Sequence, residues 1–278
     1  MRRLRDSVAV GAARVKHRAT PTWVWRRTAS RRVLPDFIVI GTQRGGTTSL
    51  DADLRKHPQV RGARRKEVHF LDGLRTADVD RYRSYFPTQV SLGRAARRVG
   101  APVLTGESSP SYLFHPEVPA RAARIVPDAR FIALLREPVA RAYSNHQLEQ
   151  RRGNEPLDFV AAIEAEEGRL ADDPAGFHRR HHSYVARGRY AEQLERWFTH
   201  VGRDRILVLR SEDLFADGQS QLDAVTDFLG LRRHHLDTLE ARNLADYERE
   251  IPHADALRAR FAPHNERLSE LLDRDMGW

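Results

Sequence analysis

Cysteine is absent from the 278 residues, and lysine nearly so, with only Lys16, Lys56 and Lys66. Without cysteine there can be no disulfide, no thiolate nucleophile and no metal site built on sulfur. The scarcity of lysine against 44 arginines is a bias, so an arginine where lysine is chemically usual carries little surprise, and each surviving lysine gains interest. Long apolar runs are missing too. None approaches the roughly 18 residues of a membrane-spanning helix, and "VAVGAARV" near the start is too short and too broken for a secretory signal. The expectation is a cytoplasmic protein. At this length, with 40% hydrophobic residues, the chain can bury one substantial core.

The net charge of +9 is unevenly placed. Residues 1–33 hold ten basic residues against Asp6, while the remainder carries 37 basic and 37 acidic residues and is neutral. The neutral body counts against a nucleic-acid-binding protein, and no nucleic-acid partner is expected. The excess defines a basic, partly disordered arm over residues 1–33, in which Trp23 and Trp25 sit among arginines and suit peripheral contact with an anionic membrane surface or a polyanion. Residues 34–278 are expected to form the catalytic domain.

Four short apolar stretches bounded by turn residues read as buried strands: "DFIVIG", "PVLTGE", "RFIALLR" and "RILVLR". Helical spacing follows in "SLDADLRKH", "PVARAYSNHQLEQ", "LDFVAAIEAEEGRL", "YAEQLERWFTHV", "QLDAVTDFLGL" and "FAPHNERLSELLDRD". The alternation predicts an α/β fold of three layers, with a mostly parallel central sheet and helices on both faces. Ligands of such sheets bind beyond the carboxyl ends of the strands. Polar residues gather there, at Gly41 to Thr48, Glu107 to Ser109, Arg136, and Arg210 to Asp213.

"GTQRGGTTSL" passes from the first strand into a helix and nearly spells the phosphate loop G-x-x-x-x-G-K-[ST], but Thr47 stands at the lysine position. The glycines still permit close backbone approach, the helix start still offers N–H donors, and Thr47, Thr48 and Ser49 add hydroxyls. The loop remains an anion nest. Arg44 within the turn supplies a cation. A second element, "LLREPVARAYSNH", ends a strand in Arg136 and reaches Ser144 two turns into a helix begun by Pro138, a pairing able to hold a phosphate. Two separate phosphate sites suit a nucleotide phosphorylated at both 3′ and 5′. A third, "RRKEVHFLD", puts Lys66, Glu67 and His69 within four residues, where a carboxylate can act as general base. His178, His181 and His182 of "HRRHHS" are irregularly clustered without a flanking acidic pair, and no metal site is expected there. "EAEEGRL" reads as a solvated helix face.

Together these stretches resemble the sulfotransferases that use 3′-phosphoadenosine 5′-phosphosulfate (PAPS), especially the branch of heparan sulfate N- and O-sulfotransferases and their bacterial relatives. The resemblance runs from about Leu34 to the carboxyl terminus and includes "GESSPSYLFHP", "RGRYAEQLERW", "LVLRSEDLFAD" and "FLGL". It implies a phosphosulfate cradle at Gly45, Gly46, Thr47 and Thr48, with Arg44 where the family usually has lysine. It also implies Glu67 as base, His69 beside it, and Arg136 with Ser144 on the 3′-phosphate. The implied acceptor is a hydroxyl, or less readily an amine, of a glycan, glycolipid or small metabolite, which attacks the sulfur in line without a metal ion. Two departures stand out: Glu107-Ser108 precedes "SPSY" where relatives often carry a lysine, and "NLADYEREIP" offers only Arg242 and Arg249 where many have a basic loop. The rival expectations are a small-molecule kinase, which wants lysine at position 47, and an arginine-armed protein binding polyanions or membranes without catalysis.

Overall fold

The computed structural model describes residues 25–73, 76–236 and 250–278. Residues 1–24 of the predicted arm, and Arg242 and Arg249, lie outside the described residues. Strand β1 (Phe37–Gly41) leads through the glycine-rich loop into α1 (Thr47–Lys56), followed by β2 (Val60–Gly62), α2 (Val79–Arg83), α3 (Gln89–Val99) and β3 (Leu104–Ser108). Next come α4 (Val118–Ile125), β4 (Arg130–Leu135), α5 (Pro138–Arg151), α6 (Phe159–Ala171), α7 (Phe177–His181) and α8 (Tyr190–Val201). Strand β5 (Ile206–Arg210), α9 (Ser211–Ala216), α10 (Gly218–Leu229) and α11 (Ala254–Leu272) complete the described fold.

The sheet order is β2-β3-β1-β4-β5, and every neighbouring pair is parallel. Because β1 is central and buried along its length, its side chains alternate between two apolar layers. Ile38 and Ile40 join Phe131, Ala133, Leu194 and Trp197 on one face. Phe37 and Val39 join Ile132, Leu134, Leu50, Leu54 and Val225 on the other. The three-layer expectation holds. A further apolar cluster, with Val139, Phe159 and Phe261, ties α5, α6 and α11 together.

Local signals explain the element boundaries. Pro138 opens α5, where its missing N–H costs nothing, and the Glu137 carboxylate caps that helix by accepting from Val139 N at 3.1 Å and Ala140 N at 2.6 Å. Asp217 caps α10 in the same manner through Ser220 N. The four predicted strands all form, but β2 was not anticipated, because a three-residue edge strand containing Arg61 leaves no apolar run. The strip "EAEEGRL" is only partly solvated. Glu166 is buried on the inner side of α6 and accepts from Val185 N at 2.6 Å and Ala186 N at 2.8 Å. At the edge of the predicted arm, Trp25 lies under two guanidiniums, 4.7 Å from Arg32 and 4.0 Å from Arg64, and Arg26 pairs with Asp78.

Trp197 fills the layer beneath β4, fully buried, with its ring 4.9 Å from that of Phe131 and its indole N–H donated to Leu113 O at 3.3 Å. Truncation there removes a large apolar surface and orphans a carbonyl. Trp197→Ala is expected to lose about 3–5 kcal/mol of unfolding free energy in urea titrations; a loss under about 1 kcal/mol would mean this layer tolerates collapse.

Candidate functional site

The strand order reverses beside β1, since the chain visits β2 and β3 on one side before crossing to β4 and β5 on the other. A crevice opens beyond such a reversal, and here it is a cleft of ≈ 1010 Å³. The loop after β1 forms its floor. Thr42 N donates to Leu134 O at 2.7 Å and Gly45 N to Thr42 O at 3.0 Å, folding the loop against β4. A Cβ at Gly45 would lie 2.6 Å from the Leu134 carbonyl, so a side chain there would force the loop away from the sheet. Gly46, with φ +87°, is the N-cap of α1 and contributes no side chain, so that helix begins without a side-chain cap. Gly46, Thr47 and Thr48 line the cleft. Backbone donors and hydroxyls at a helix start are an arrangement that suits an anion. Ser49, one residue further along, is buried and outside the cleft lining, and Gly45 serves as the loop's contact with β4.

The arginines converge on one side of this nest. Arg44 Nε donates to Ser144 Oγ at 2.8 Å, and Arg136 Nη1 donates to Arg44 O at 3.2 Å. Ser144 is fully buried on α5. The fold therefore joins Arg44 to Ser144, two residues assigned from the sequence to opposite ends of a nucleotide. Sequence reasoning missed two cations nearby. Arg141 is buried, with its Nε and one Nη without a hydrogen-bond partner, and burial with its neighbours Arg136 and Arg44 lowers its pKa. Arg187, only 4% exposed, donates to Gln43 Oε1 at 2.7 Å, and burial with Arg141 holds its pKa down at about 9. Guanidiniums that depress one another's protonation gain stability when an anion enters. The "R-x-P-x-x-R" spacing contained Arg141, but nothing local in "RGRY" revealed Arg187.

Opposite them lies the segment after β2. Lys66 Nζ bridges Thr48 Oγ1 at 2.8 Å and Glu67 Oε1 at 3.1 Å. Glu67 Oε2 faces His69 Nε2 at 3.6 Å, His69 Nδ1 meets Asp72 Oδ2 at 2.9 Å, and Ser111 Oγ donates to Asp72 Oδ2 at 2.6 Å. A continuous polar chain thus runs from the nest to the cleft wall. The imidazole, held between two carboxylates, has its pKa raised to about 9, first by Asp72 and then by Glu67. Reciprocally, His69 and then Lys66 hold Glu67 down at about 2, against the effect of burial. Glu67 is therefore ionised at neutral pH and available to accept a proton, while His69 is already protonated. Asp72 and Ser111 were not singled out from sequence, although the His-x-x-Asp spacing within "HFLD" was visible.

Backbone conformation marks the same residues. Five non-glycine residues among those described have positive φ, and three are Arg44 (71°), Glu67 (56°) and His69 (53°). Such conformations are costly and persist where the surroundings impose them. The histidines of "HRRHHS" are directed at neighbours: His178 Nδ1 and His182 Nδ1 are 2.7 Å apart, and His181 Nδ1 lies 2.9 Å from Glu149 Oε2. Among the described residues, no group of three or more histidine or acidic side chains could hold a metal ion.

A sulfotransferase family model matches residues 35–235. Heparan sulfate glucosamine 3-O-sulfotransferase 3B1 of Homo sapiens is 29% identical over 273 residues, covering 88% of this chain and 65% of its own length. Membrane-associated sulfotransferase kil1 of Dictyostelium discoideum is 25% identical, covering 88% of this chain and 66% of its own length. The chain thus spans a little under two thirds of these curated relatives. A crystal structure of a sulfotransferase from Alicyclobacillus acidocaldarius is 28% identical, with a TM-score of 0.68, covering 88% of this chain and 98% of that one.

The pairing of His69 has a pH signature. A histidine whose folded pKa is raised stabilises the fold fully below its ordinary 6.5 and loses that contribution as pH rises through about 9. The side chains of His69 and Glu67 are 43% and 45% exposed, so solvent screening keeps this contribution small. In a histidine-resolved NMR titration, assigned with His69→Asn, the His69 resonance is expected to move near pH 9, and nearer 6.5 in Asp72→Asn. A midpoint near 6.5 in the parent protein would show that the carboxylates do not hold the ring.

Proposed function

The chain belongs to the sulfotransferase family, and from that premise we propose that it transfers the sulfuryl group of PAPS to a hydroxyl of a carbohydrate or glycolipid acceptor. The observation that supports this most directly is the pairing, within one cleft, of a helix start with backbone and hydroxyl donors, arginines beside it and an ionised carboxylate opposite. A family match over residues 35–235 is not what either a small-molecule kinase or a non-catalytic polyanion binder leads one to expect.

In this reading the acceptor oxygen attacks sulfur in line. The new S–O bond forms as the bond from sulfur to the 5′-phosphate oxygen breaks, and 3′-phosphoadenosine 5′-phosphate departs. Glu67 takes the acceptor's proton. Backbone N–H groups of Gly46, Thr47 and Thr48 stabilise charge gathering on the leaving phosphate, with the Thr48 hydroxyl oriented by Lys66. Arg136 and Ser144 hold the 3′-phosphate. Arg44, hydrogen-bonded to Ser144 while its own carbonyl accepts from Arg136, links the two phosphate sites. Positioning and electrostatics supply most of the acceleration, as in phosphoryl transfer. Arg152, Arg180 and Arg258 line the outer cleft and suit an acceptor bearing negative charge.

The basic stretch at residues 1–33 acts, in the same proposal, as a peripheral contact with anionic membrane beside a catalytic domain of residues 34–278, through its residues other than the buried Arg32. No helix among the described residues is long and apolar enough to cross a membrane. Deleting residues 1–24 is expected to reduce sedimentation with anionic vesicles at low salt and to leave turnover on a soluble acceptor unchanged.

The central test is transfer of radiolabelled sulfate from PAPS to a panel of glycans, glycolipids and small hydroxyl compounds, with and without EDTA. Transfer to a carbohydrate in both conditions is expected. By calorimetry, 3′-phosphoadenosine 5′-phosphate should bind far more tightly than AMP, and Arg136→Ala should cost about 2 kcal/mol of that affinity. Equal affinity for AMP would sink the assignment. Glu67→Gln should lower turnover about 10²- to 10⁴-fold with nucleotide affinity unmoved; turnover within about threefold of the parent, with chemistry limiting, would remove Glu67 from the role of base.

A further inference from the structure

Glu107 of "GESSPSY" is a buried acid that the proposed chemistry does not use. It lies near the end of β3, only 1% exposed. Three hydroxyls donate to its carboxylate: Tyr82 at 2.5 Å and Tyr112 at 3.2 Å to Oε1, and Ser109 at 2.7 Å to Oε2. Each hydroxyl has one proton. With that proton committed to Glu107, the oxygens of Ser109 and Tyr112 can only accept from elsewhere. What they accept is the backbone of residues 69–71, the stretch that begins at His69 and follows Glu67 by two residues. His69 N donates to Ser109 Oγ at 3.3 Å, and Phe70 N and Leu71 N donate to Tyr112 Oη at 2.9 and 3.2 Å. The third donor, Tyr82, stacks its ring on Phe70 with centroids 4.4 Å apart and planes within 5°.

Every group that Glu107 orients therefore grips residues 69–71. This segment needs gripping, because Glu67 and His69 both hold positive φ, a conformation that is costly for residues with a side chain and relaxes unless it is imposed. Burial first, and Asp72 after it, raise the Glu107 pKa although the three hydroxyls act in the opposite direction; it is the three donated hydroxyl bonds that mark Glu107 as an acceptor. An amide or protonated acid at this position would carry a donor where all three neighbours already donate. With both tyrosines kept on Oε1, the donor would face Ser109, whose hydroxyl would have to turn and disturb its acceptance from His69 N.

We propose that Glu107 is a positioning residue for the Glu67–His69 pair. As a buried acceptor it fixes the proton direction of Ser109, Tyr112 and Tyr82, and through them it holds the strained backbone that aims both side chains into the cleft. Its catalytic consequence rests on the sulfotransferase reading above, but its structural consequence does not. That difference makes the two separable.

The test compares Glu107→Gln with the pair Ser109→Ala and Ser109→Thr, of which only the threonine keeps a hydroxyl. In Glu107→Gln the NMR titration midpoint of His69 is expected to fall from about 9 toward 6.5. Turnover should drop about 10²-fold, the effect of misplacing a reacting group by about 1 Å, while affinity for 3′-phosphoadenosine 5′-phosphate stays within about threefold. Ser109→Ala should reproduce these changes and Ser109→Thr should restore parent behaviour. If Glu107→Gln does not fold, the Ser109 pair and Tyr112→Phe carry the test. An unmoved His69 midpoint overturns the proposal, as does a parallel loss of nucleotide affinity and turnover, or a threonine variant as impaired as the alanine one. Should Glu67→Gln keep its turnover while Glu107→Gln still shifts His69, the assignment of the base fails and the positioning role stands.

Discussion

The hydrogen bond from Thr42 N to Leu134 O, with Gly45 seated against the same carbonyl, is the contact from which the rest of the site follows. It fastens the loop after β1 to β4, the neighbour reached only after the sheet reverses direction. Once the loop is fastened, α1 must start at Gly46 with its donors facing the crevice, and Arg44 must lean toward α5. The glycine is required by space here, because a side chain would meet backbone rather than a movable neighbour. The phosphate-loop lysine is not part of this constraint. The nest survives its absence, since backbone N–H groups and the helix start supply the donors.

Charge is then distributed around the nest by two different devices. On the α5 side, buried guanidiniums crowd one another, and the crowding itself favours an anion. On the opposite side, lysine, carboxylate and imidazole alternate, so that each charge steadies the next. The second arrangement has a chemical cost. A carboxylate held near 2 is a reliable acceptor of hydrogen bonds but a weak base, and the loose 3.6 Å contact with His69 is one that an entering hydroxyl can displace. Displacing it would restore basicity at the moment the proton must move.

Conformational strain is concentrated where chemistry is proposed. Arg44, Glu67 and His69 adopt positive φ in a fold whose remaining described turns of that kind are mostly glycine. Neighbours that are themselves buried and hydrogen-bonded hold them: the loop contact with β4 beside Arg44, the Ser108 carbonyl on Glu67 N, and the hydroxyl cluster around Glu107 at His69. Such support cannot be supplied by a loop alone.

Much of this protein was legible in its sequence. Four apolar runs and the helical stretches between them determine a parallel sheet covered on both faces, because continuous burial and alternation leave few other arrangements. The glycine loop, Arg136 after its strand and the Lys66–Glu67–His69 cluster were each readable as local chemistry, and their order carried the family. What the sequence could not carry were relations between distant segments. That Arg44 bonds Ser144, a hundred residues away, that Arg187 enters the cleft, and that Glu166 turns inward depend on packing of helices that share no local signal. The short edge strand β2 escaped for the same reason, since its pairing rather than its composition makes it a strand. Local pattern fixes which elements form and which groups can react, whereas the distances between those groups, and hence their charge states, exist only once the sheet brings the ends of its strands together.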